Sequence, residues 1–243
     1  MSEHRVALVT GGSLGIGQAA IAALAPRGYA IAALARGKAG LEAAIDALDE
    51  AARQRVIAVP ADVTREAEVK AAVDAVIERF GRLDVLINCA GGSMSARRRL
   101  ADSTSAEWHR LIDVNLTGTY LMCRTALPYL EKSEDAYILN VQSTASYAAQ
   151  PGVSLYAASK YGVRALTEAL IEEYRNSAVR ITSVSPGPVD TNIWSHKVEP
   201  PSDSQRALMM RPADIADIFM WLLERPRRLH IPNITVTPWT GFA

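Results

Sequence analysis

Seven short apolar runs recur along this chain with longer segments of helical period between them, and no other feature narrows the possible folds as much. They are RVALVT (5–10), YAIAALA (29–35), RVIAVPADV (55–63), LDVLINCAG (83–91), AYILNVQS (136–143), RITSVSPG (180–187) and NITVTP (233–238). Runs of this length predict strands, and apolar character on both sides predicts strands covered on both faces. The stretches between them are amphipathic. In REAEVKAAVDAVIERFG (65–81) the residues Ala67, Val69, Ala71, Ala72, Val73, Val76, Ile77 and Phe80 include an apolar stripe at helical spacing, with charges opposite. Strands joined by helices imply an α/β protein: a doubly wound, seven-stranded parallel sheet with helices on both faces.

A length of 243 residues with 49% hydrophobic residues is enough for one full core, and no linker, repeat or low-complexity tract divides the chain. One domain over 1–243 is expected. The least regular segment is DTNIWSHKVEPPSDSQRALMMR (190–211). A connection that long in a compact domain is usually functional, and here it is the candidate lid. Lysine plus arginine equals aspartate plus glutamate, 26 each, so no net charge draws the protein to nucleic acid or to an anionic membrane, and neither is expected as a partner. No apolar stretch reaches the ~20 residues of a membrane span, and the expected location is cytoplasmic. Cys89 and Cys123 lack the spacing of a zinc cluster or redox pair and are expected as buried free thiols. His4, His109, His196 and His230 are scattered; they are expected at the surface, with no metal bound.

Two stretches carry chemistry. In RVALVTGGSLGIGQAAIAAL a strand runs through a glycine-rich turn into a helix, and Gly11, Gly15 and Gly17 allow a tight turn, close approach of backbone to a pyrophosphate and close helix–strand packing. Free N–H groups and the positive end of the helix then face the phosphates. The spacing is G-x-x-x-G-x-G rather than G-x-G-x-x-G, and a plain tight turn is the alternative. In SLYAASKYGV, Tyr156 and Lys160 stand four residues apart, which on a helix stacks them on one face.

TGGSLGIG (10–17), NCAG (88–91), Asn115 in DVNLTG, Ser143, YAASK (156–160) and PGPVDT (186–191) stand in an order and spacing that resembles the short-chain dehydrogenases/reductases over nearly the whole chain. One departure is visible: Cys89 occupies the place of the family's second asparagine, while Asn88, which in the family braces the central sheet, is present. The resemblance implies a Rossmann fold, a nicotinamide cofactor and a Ser-Tyr-Lys-Asn tetrad. Tyr156 would be the general acid or base at the substrate oxygen, and Ser143 would hydrogen-bond that oxygen. Lys160 would hold the ribose and lower the phenol's pKa; Asn115 would anchor a water relay to Lys160. Cofactor contacts would come from Gly11, Ser13, Leu14, Gly15, Ile16 and Gly17 in the turn, and from Arg36. Asp62 and Val63 would meet the adenine. Asn88, Ala90, Gly91, Tyr156, Lys160, Pro186, Gly187 and Val189 complete the list, with Thr191 at the carboxamide. Each has a plainer reading: Ser143 as a strand-end serine, Asn115 and Thr191 as caps, Asp62 as a turn residue.

Where an NAD-selective enzyme carries an acidic residue after its second strand, this chain has Ala35 and then Arg36, with Lys38 nearby, so NADP(H) is expected to be preferred and NAD(H) is the second choice. The ending ERPRRLHIPNITVTPW, in place of a VDGG-like segment, resembles the branch that handles small 3-hydroxy acids and related alcohols. Arg97, Arg98 and Arg99 in MSARRRLAD are candidates to hold an acid group, or else a solvated face. The expected activity is hydride transfer between the cofactor and a small-molecule carbonyl or secondary alcohol. A 3-oxoacyl-thioester (acyl carrier protein type) reductase and a non-catalytic nucleotide-sensing regulator are the alternatives; the second would be expected to have lost the tetrad. Apolar residues beyond one stripe, such as Leu116, Tyr120, Leu121, Ala165, Leu166 and Leu170, suggest a second buried face and a homotetramer or homodimer.

Overall fold

The computed structural model describes residues 4–239, so both ends of the expected 1–243 span lie outside the described residues. All seven expected strands form: β1 (Val6–Thr10), β2 (Ala30–Ala35), β3 (Val56–Pro60), β4 (Val85–Asn88), β5 (Ala136–Val141), β6 (Val179–Pro186) and β7 (Asn233–Val236). They build one parallel sheet in the order β3-β2-β1-β4-β5-β6-β7. The helices are α1 (Gly15–Leu24), α2 (Lys38–Asp46), α3 (Glu50–Arg53), α4 (Glu66–Phe80), α5 (Ser105–Leu111), α6 (Gly118–Leu130), α7 (Ser154–Glu173), α8 (Asp203–Arg206) and α9 (Pro212–Leu223).

The pleat divides each central strand between two cores. Val6 and Leu8, Ala30, Ala32 and Leu34, Leu86, Ile138 and Ile181 face a layer that includes Val69, Val73 and Val76 of α4 and Leu121, Met122 and Leu130 of α6. Ala7 and Val9, Ile31 and Ala33, Val85 and Ile87, Tyr137 and Leu139 face the other way, against Ile21 and Leu24 of α1, Leu41 of α2 and Phe219 and Leu223 of α9. Strands buried on both faces therefore read as continuous apolar runs. The edge strand β7 departs from that expectation: its residues alternate between exposed and half-buried, and no strand among the described residues lies beyond it.

Two runs are shorter as strands than their apolar sequence suggests. The 55–63 run leaves the sheet after Pro60, the last residue in register with β2, and turns through Asp62. The 83–91 run stops at Asn88, because the N–H groups of Cys89 and Ala90 donate to Thr10 Oγ1 (3.1 and 3.0 Å) instead of continuing a ladder. Order reverses at β1, whose neighbours are β2 on one side and β4 on the other. The turns after β1 and β4 thus flank the crevice where such sheets take ligands.

Candidate active site

Beyond the carboxyl ends of the strands lies a cleft of about 1330 Å³. One wall is the turn into α1. Gly15 has φ +58°, which favours glycine, and a Cβ on Gly17 would lie 2.3 Å from the carbonyl oxygen of Gly11, so the second position tolerates no side chain at all. Leu14 caps α1 without any side-chain hydrogen bond, leaving the first helical N–H groups directed at the cleft. Gly11, Ser13, Leu14, Gly15, Ile16 and Gly17 all line it, as do Arg36, Asp62, Val63, Ala90, Gly91, Pro186, Gly187, Val189 and Thr191. An uncapped helix start over a glycine cradle, with a single arginine beyond it, fits a dinucleotide.

Arg36 follows β2, is exposed, and makes no hydrogen bond or ion pair among the described residues. Lys38, named beside it from sequence, pairs instead with Glu42 on its own helix (3.4 Å) and does not line the cleft. Asp62 accepts from Thr64 N and Oγ1 (2.9 and 2.8 Å). Burial raises its pKa, but these bonds, with Arg36 and Arg65, outweigh burial and hold the carboxyl below its ordinary value. Asp62 is therefore a turn residue as well as a cleft residue. Thr191 caps the turn Asn192–Trp194 and also lies against Gly15. Asn88 does not reach the cleft. Its Nδ2 donates to Asn140 Oδ1 (2.8 Å) and to Cys123 Sγ (3.4 Å), so of its two expected roles the brace across the sheet is the one realised.

At the other end of the cleft, Ser143 caps the short turn after β5 and accepts from Ala145 N (3.1 Å). Tyr156 and Lys160 occupy successive turns of α7, with Lys160 Nζ 6.0 Å from the centre of the Tyr156 ring. Lys160 is buried and donates to Val141 O (3.1 Å). Burial lowers its pKa to about 8. Burial also raises the pKa of Tyr156, against a lowering by its hydrogen bond with Ser143. The expected lowering of the phenol by Lys160 is not seen: burial prevails over the Ser143 hydrogen bond and leaves the pKa raised.

Asn115 sits in a π turn (Ile112–Thr117) between α5 and α6, closed by Gly118 N–H to Asp113 O, five residues back. Its Oδ1 accepts from Gly92 N (2.8 Å), and its Nδ2 donates to Gly92 O (3.1 Å) and Ser159 Oγ (2.9 Å). Ser159 in turn donates to Tyr156 O (2.7 Å). Asn115 is buried and lines no part of the cleft; it ties the loop after β4 to the tyrosine helix.

The arginine run is not where an acid group would be held from the cleft. Arg97 donates to Gln150 (2.6 Å), Arg98 pairs with Glu107 (3.1 Å), and none of Arg97, Arg98 and Arg99 lines the cavity. Arg110, which sequence reasoning missed, does line it, with Ser93, Ser95 and the exposed His196. Cys89 also lines the cleft and is only partly buried, contrary to expectation; burial of its thiol pushes its pKa up to about 12. Cys123 is buried, and both cysteines are free. Segment 190–211 crosses the cleft mouth. Its Trp194 Nε1 donates to Val189 O (2.8 Å) and its Val198 N to Ser95 O (2.9 Å). Among the described residues no helix is long and apolar enough to cross a membrane, and no group of three or more His, Cys, Asp or Glu is placed to hold a metal ion.

Comparison with known proteins agrees with this geometry. An uncharacterized oxidoreductase of Staphylococcus aureus is 32% identical over 234 residues, covering 96% of this chain and 97% of that protein. Among solved structures, an alcohol dehydrogenase from the archaeon Thermococcus sibiricus, complexed with 5-hydroxy-NADP, superposes with a TM-score of 0.87 at 29% identity, covering 99% of both chains. A 3-ketoacyl-(acyl-carrier-protein) reductase from Brucella melitensis, complexed with NADH, gives 0.87 at 27% identity and 97% of both. The short chain dehydrogenase family matches residues 5–201, and with a seven-stranded parallel sheet, a glycine cradle and the Ser143, Tyr156 and Lys160 cluster in one cleft, the chain belongs to that family of oxidoreductases.

Proposed function

We propose that this oxidoreductase interconverts a small secondary alcohol and its carbonyl compound and prefers NADP(H) to NAD(H). The observation that carries this reading is the convergence of Ser143, Tyr156 and Lys160 on one end of a cleft whose other end is the glycine cradle. A nicotinamide, when bound, supplies or accepts the hydride. Tyr156 Oη gives its proton to the substrate oxygen in reduction and takes it back in oxidation. A phenol kept protonated by burial is suited to the first direction. Ser143 Oγ hydrogen-bonds the same oxygen and favours its developing negative charge. Lys160 keeps N–H groups beyond the one given to Val141 O, and these are available to ribose hydroxyls. Asn115 uses both its N–H donors on protein and so positions the Gly92 loop and α7; its Oδ1 accepts one bond, from Gly92 N, and the second lone pair is the one that would anchor a water relay to Lys160.

The unpaired guanidinium of Arg36, beside an alanine rather than a carboxylate, favours a 2′-phosphate. Residues 190–211 serve as the lid of a single domain, and a small 3-hydroxy acid is the substrate class that the chain's ending supports. Tyr120 and Tyr161, about 40% exposed on α6 and α7 (42% and 40%), leave apolar surface for a homo-oligomer, whereas Leu121 and Leu170 are taken up by the core. The test is a panel of hydroxy acids, neutral alcohols, their carbonyl partners and a 3-oxoacyl thioester, followed through absorbance of the reduced nicotinamide with each cofactor. Turnover of the acids and alcohols with NADP(H) is expected. Turnover of the thioester alone moves the protein to the carrier-dependent class, and no turnover of any compound removes the catalytic reading.

A further inference from the structure

Ser93, in the loop after β4 and on the lining of the cleft, is held by two cations, one from α5 and one from segment 190–211. Arg110 Nη2 donates to its carbonyl oxygen (3.0 Å), and Lys197 Nζ donates to its hydroxyl (3.0 Å) and to the carbonyl of Met94 (2.5 Å). Among the described residues neither cation is in an ion pair, although arginine and lysine elsewhere on this chain pair freely. Two acidic groups line the cleft nearby. Glu107 is within electrostatic reach of Arg110 but is ion-paired with Arg98 and bonded at the cap of α5, and Asp113 on the π turn makes no ion pair among the described residues. A third cation, Arg97, stands close enough that it and Arg110, after burial, hold the Lys197 ammonium below its ordinary value. Local positive charge is thus in excess where the substrate enters.

We propose that Arg110 and Lys197 form a subsite for an anionic group on the substrate, a carboxylate or a phosphate, and that the enzyme selects hydroxy or oxo acids over neutral alcohols. This rests on the oxidoreductase reading above and names the residues that give it specificity. Arg110, which lines the cleft, spends one of its five N–H donors on Ser93; Lys197 does not line the cleft itself, lies 5.6 Å from the Trp194 ring, and spends two of its three donors on Ser93, which does line it, and Met94, so each keeps donors for an oxyanion seated at Ser93. The placement of Lys197 in segment 190–211 couples the subsite to closure. An anion between Arg110 and Lys197 relieves the repulsion among the cations and holds the segment down over the loop, where Val198 N already donates to Ser95 O.

The experiment compares an active 3-hydroxy acid, its methyl ester and a phosphate monoester of similar size, in wild type, Arg110→Gln, Lys197→Gln and Arg99→Gln. In parallel, malonate and inorganic phosphate are titrated calorimetrically against each protein saturated with NADP⁺. A charge-assisted hydrogen bond predicts a loss of about tenfold to a hundredfold. Wild type should favour an anionic compound over the ester by that factor in kcat/KM. Arg110→Gln and Lys197→Gln should raise KM for the anion and weaken the matching titrant, with the ester and the Arg99→Gln protein unchanged; whichever titrant binds more tightly identifies the anion. The subsite is refuted if wild type turns over ester and acid alike, or if both titrants bind the two variants as they bind wild type. Loss of titrant binding in the variants of a protein that turns over none of the panel would keep the subsite and remove the oxidoreductase role.

Discussion

The two ends of the cleft are built by different means. The cradle after β1 is backbone: Gly15 and Gly17 are required by a positive φ and by a 2.3 Å approach, and the ligand meets N–H groups. The catalytic end is side chains gathered from the turn after β5, the start of α7 and the loop after β4, with Asn115 joining two of them through Gly92 and Ser159. A backbone site fails when bulk is added and fails for every cofactor alike. A side-chain site fails one function at a time, according to which atom is removed.

The largest expected effect lies at the side-chain end. Tyr156→Phe should reduce turnover by roughly a hundredfold to ten-thousandfold while cofactor affinity holds, since the hydroxyl moves a proton and does not bind nucleotide. Steady-state kinetics beside a cofactor titration checks this, and a variant that retains most of its kcat would abolish the distinction between the two ends.

Lys160 gives a second way to separate them, through stability. In the unfolded chain the ammonium keeps its proton up to a pKa of about 10.5, and in the ligand-free fold only to about 8. Between those values the unfolded state holds more protons, so stability rises with pH across that window, and at neutral pH the full burial cost is present. Lys160→Met should therefore stabilise the ligand-free protein at pH 7 by on the order of 3 kcal/mol and flatten the rise between pH 8 and 10.5. Urea midpoints at pH 7 and pH 10 measure it; a variant less stable than wild type at pH 7 would show that Lys160 carries structure as well as chemistry.

At the backbone end, Gly17→Ala puts a methyl group against the Gly11 carbonyl and must shift the turn, at about 1–3 kcal/mol. Affinity for NADP(H) and NAD(H) should fall together, and calorimetric titration with each would reveal any discrimination. Arg36→Ala is the smallest and sharpest change: the preference between cofactors should fall by about tenfold to a hundredfold, with NAD(H) constants held, and Ala35→Asp should move the ratio the same way. An NADH/NADPH ratio of kcat/KM that neither substitution alters would exclude Arg36 from cofactor choice.

Legibility in the sequence followed the same division. The strands of the central sheet were readable because burial on both faces leaves an uninterrupted apolar run, and the strand ends were less so because the Thr10 side chain, not the backbone of a neighbouring strand, takes the N–H groups of Cys89 and Ala90. The glycine cradle was readable because a steric requirement admits only one residue type. Ser143, Tyr156 and Lys160 were placed together by resemblance and by one i, i+4 spacing. Arg110 was invisible, since one arginine on a short helix carries no spacing signal that distinguishes it from a solvated one, and Lys197 was one lysine in an irregular segment.

The sequence by itself determined the fold class, the strand count, the glycine turn before α1 and the i, i+4 spacing of Tyr156 and Lys160. Those depend on local rules: periodicity, steric exclusion at glycine, and spacing within one helix. Only the tertiary structure decided that Asn88 braces the sheet and leaves the cleft, that burial governs the proton affinities of Tyr156 and Lys160, and that Arg110 rather than Arg97, Arg98 and Arg99 lines the cleft, with Lys197 bonded to the Ser93 hydroxyl beside it. Each of these depends on which groups from distant segments share a low-dielectric space, and no property of a residue's own neighbours in the chain encodes that.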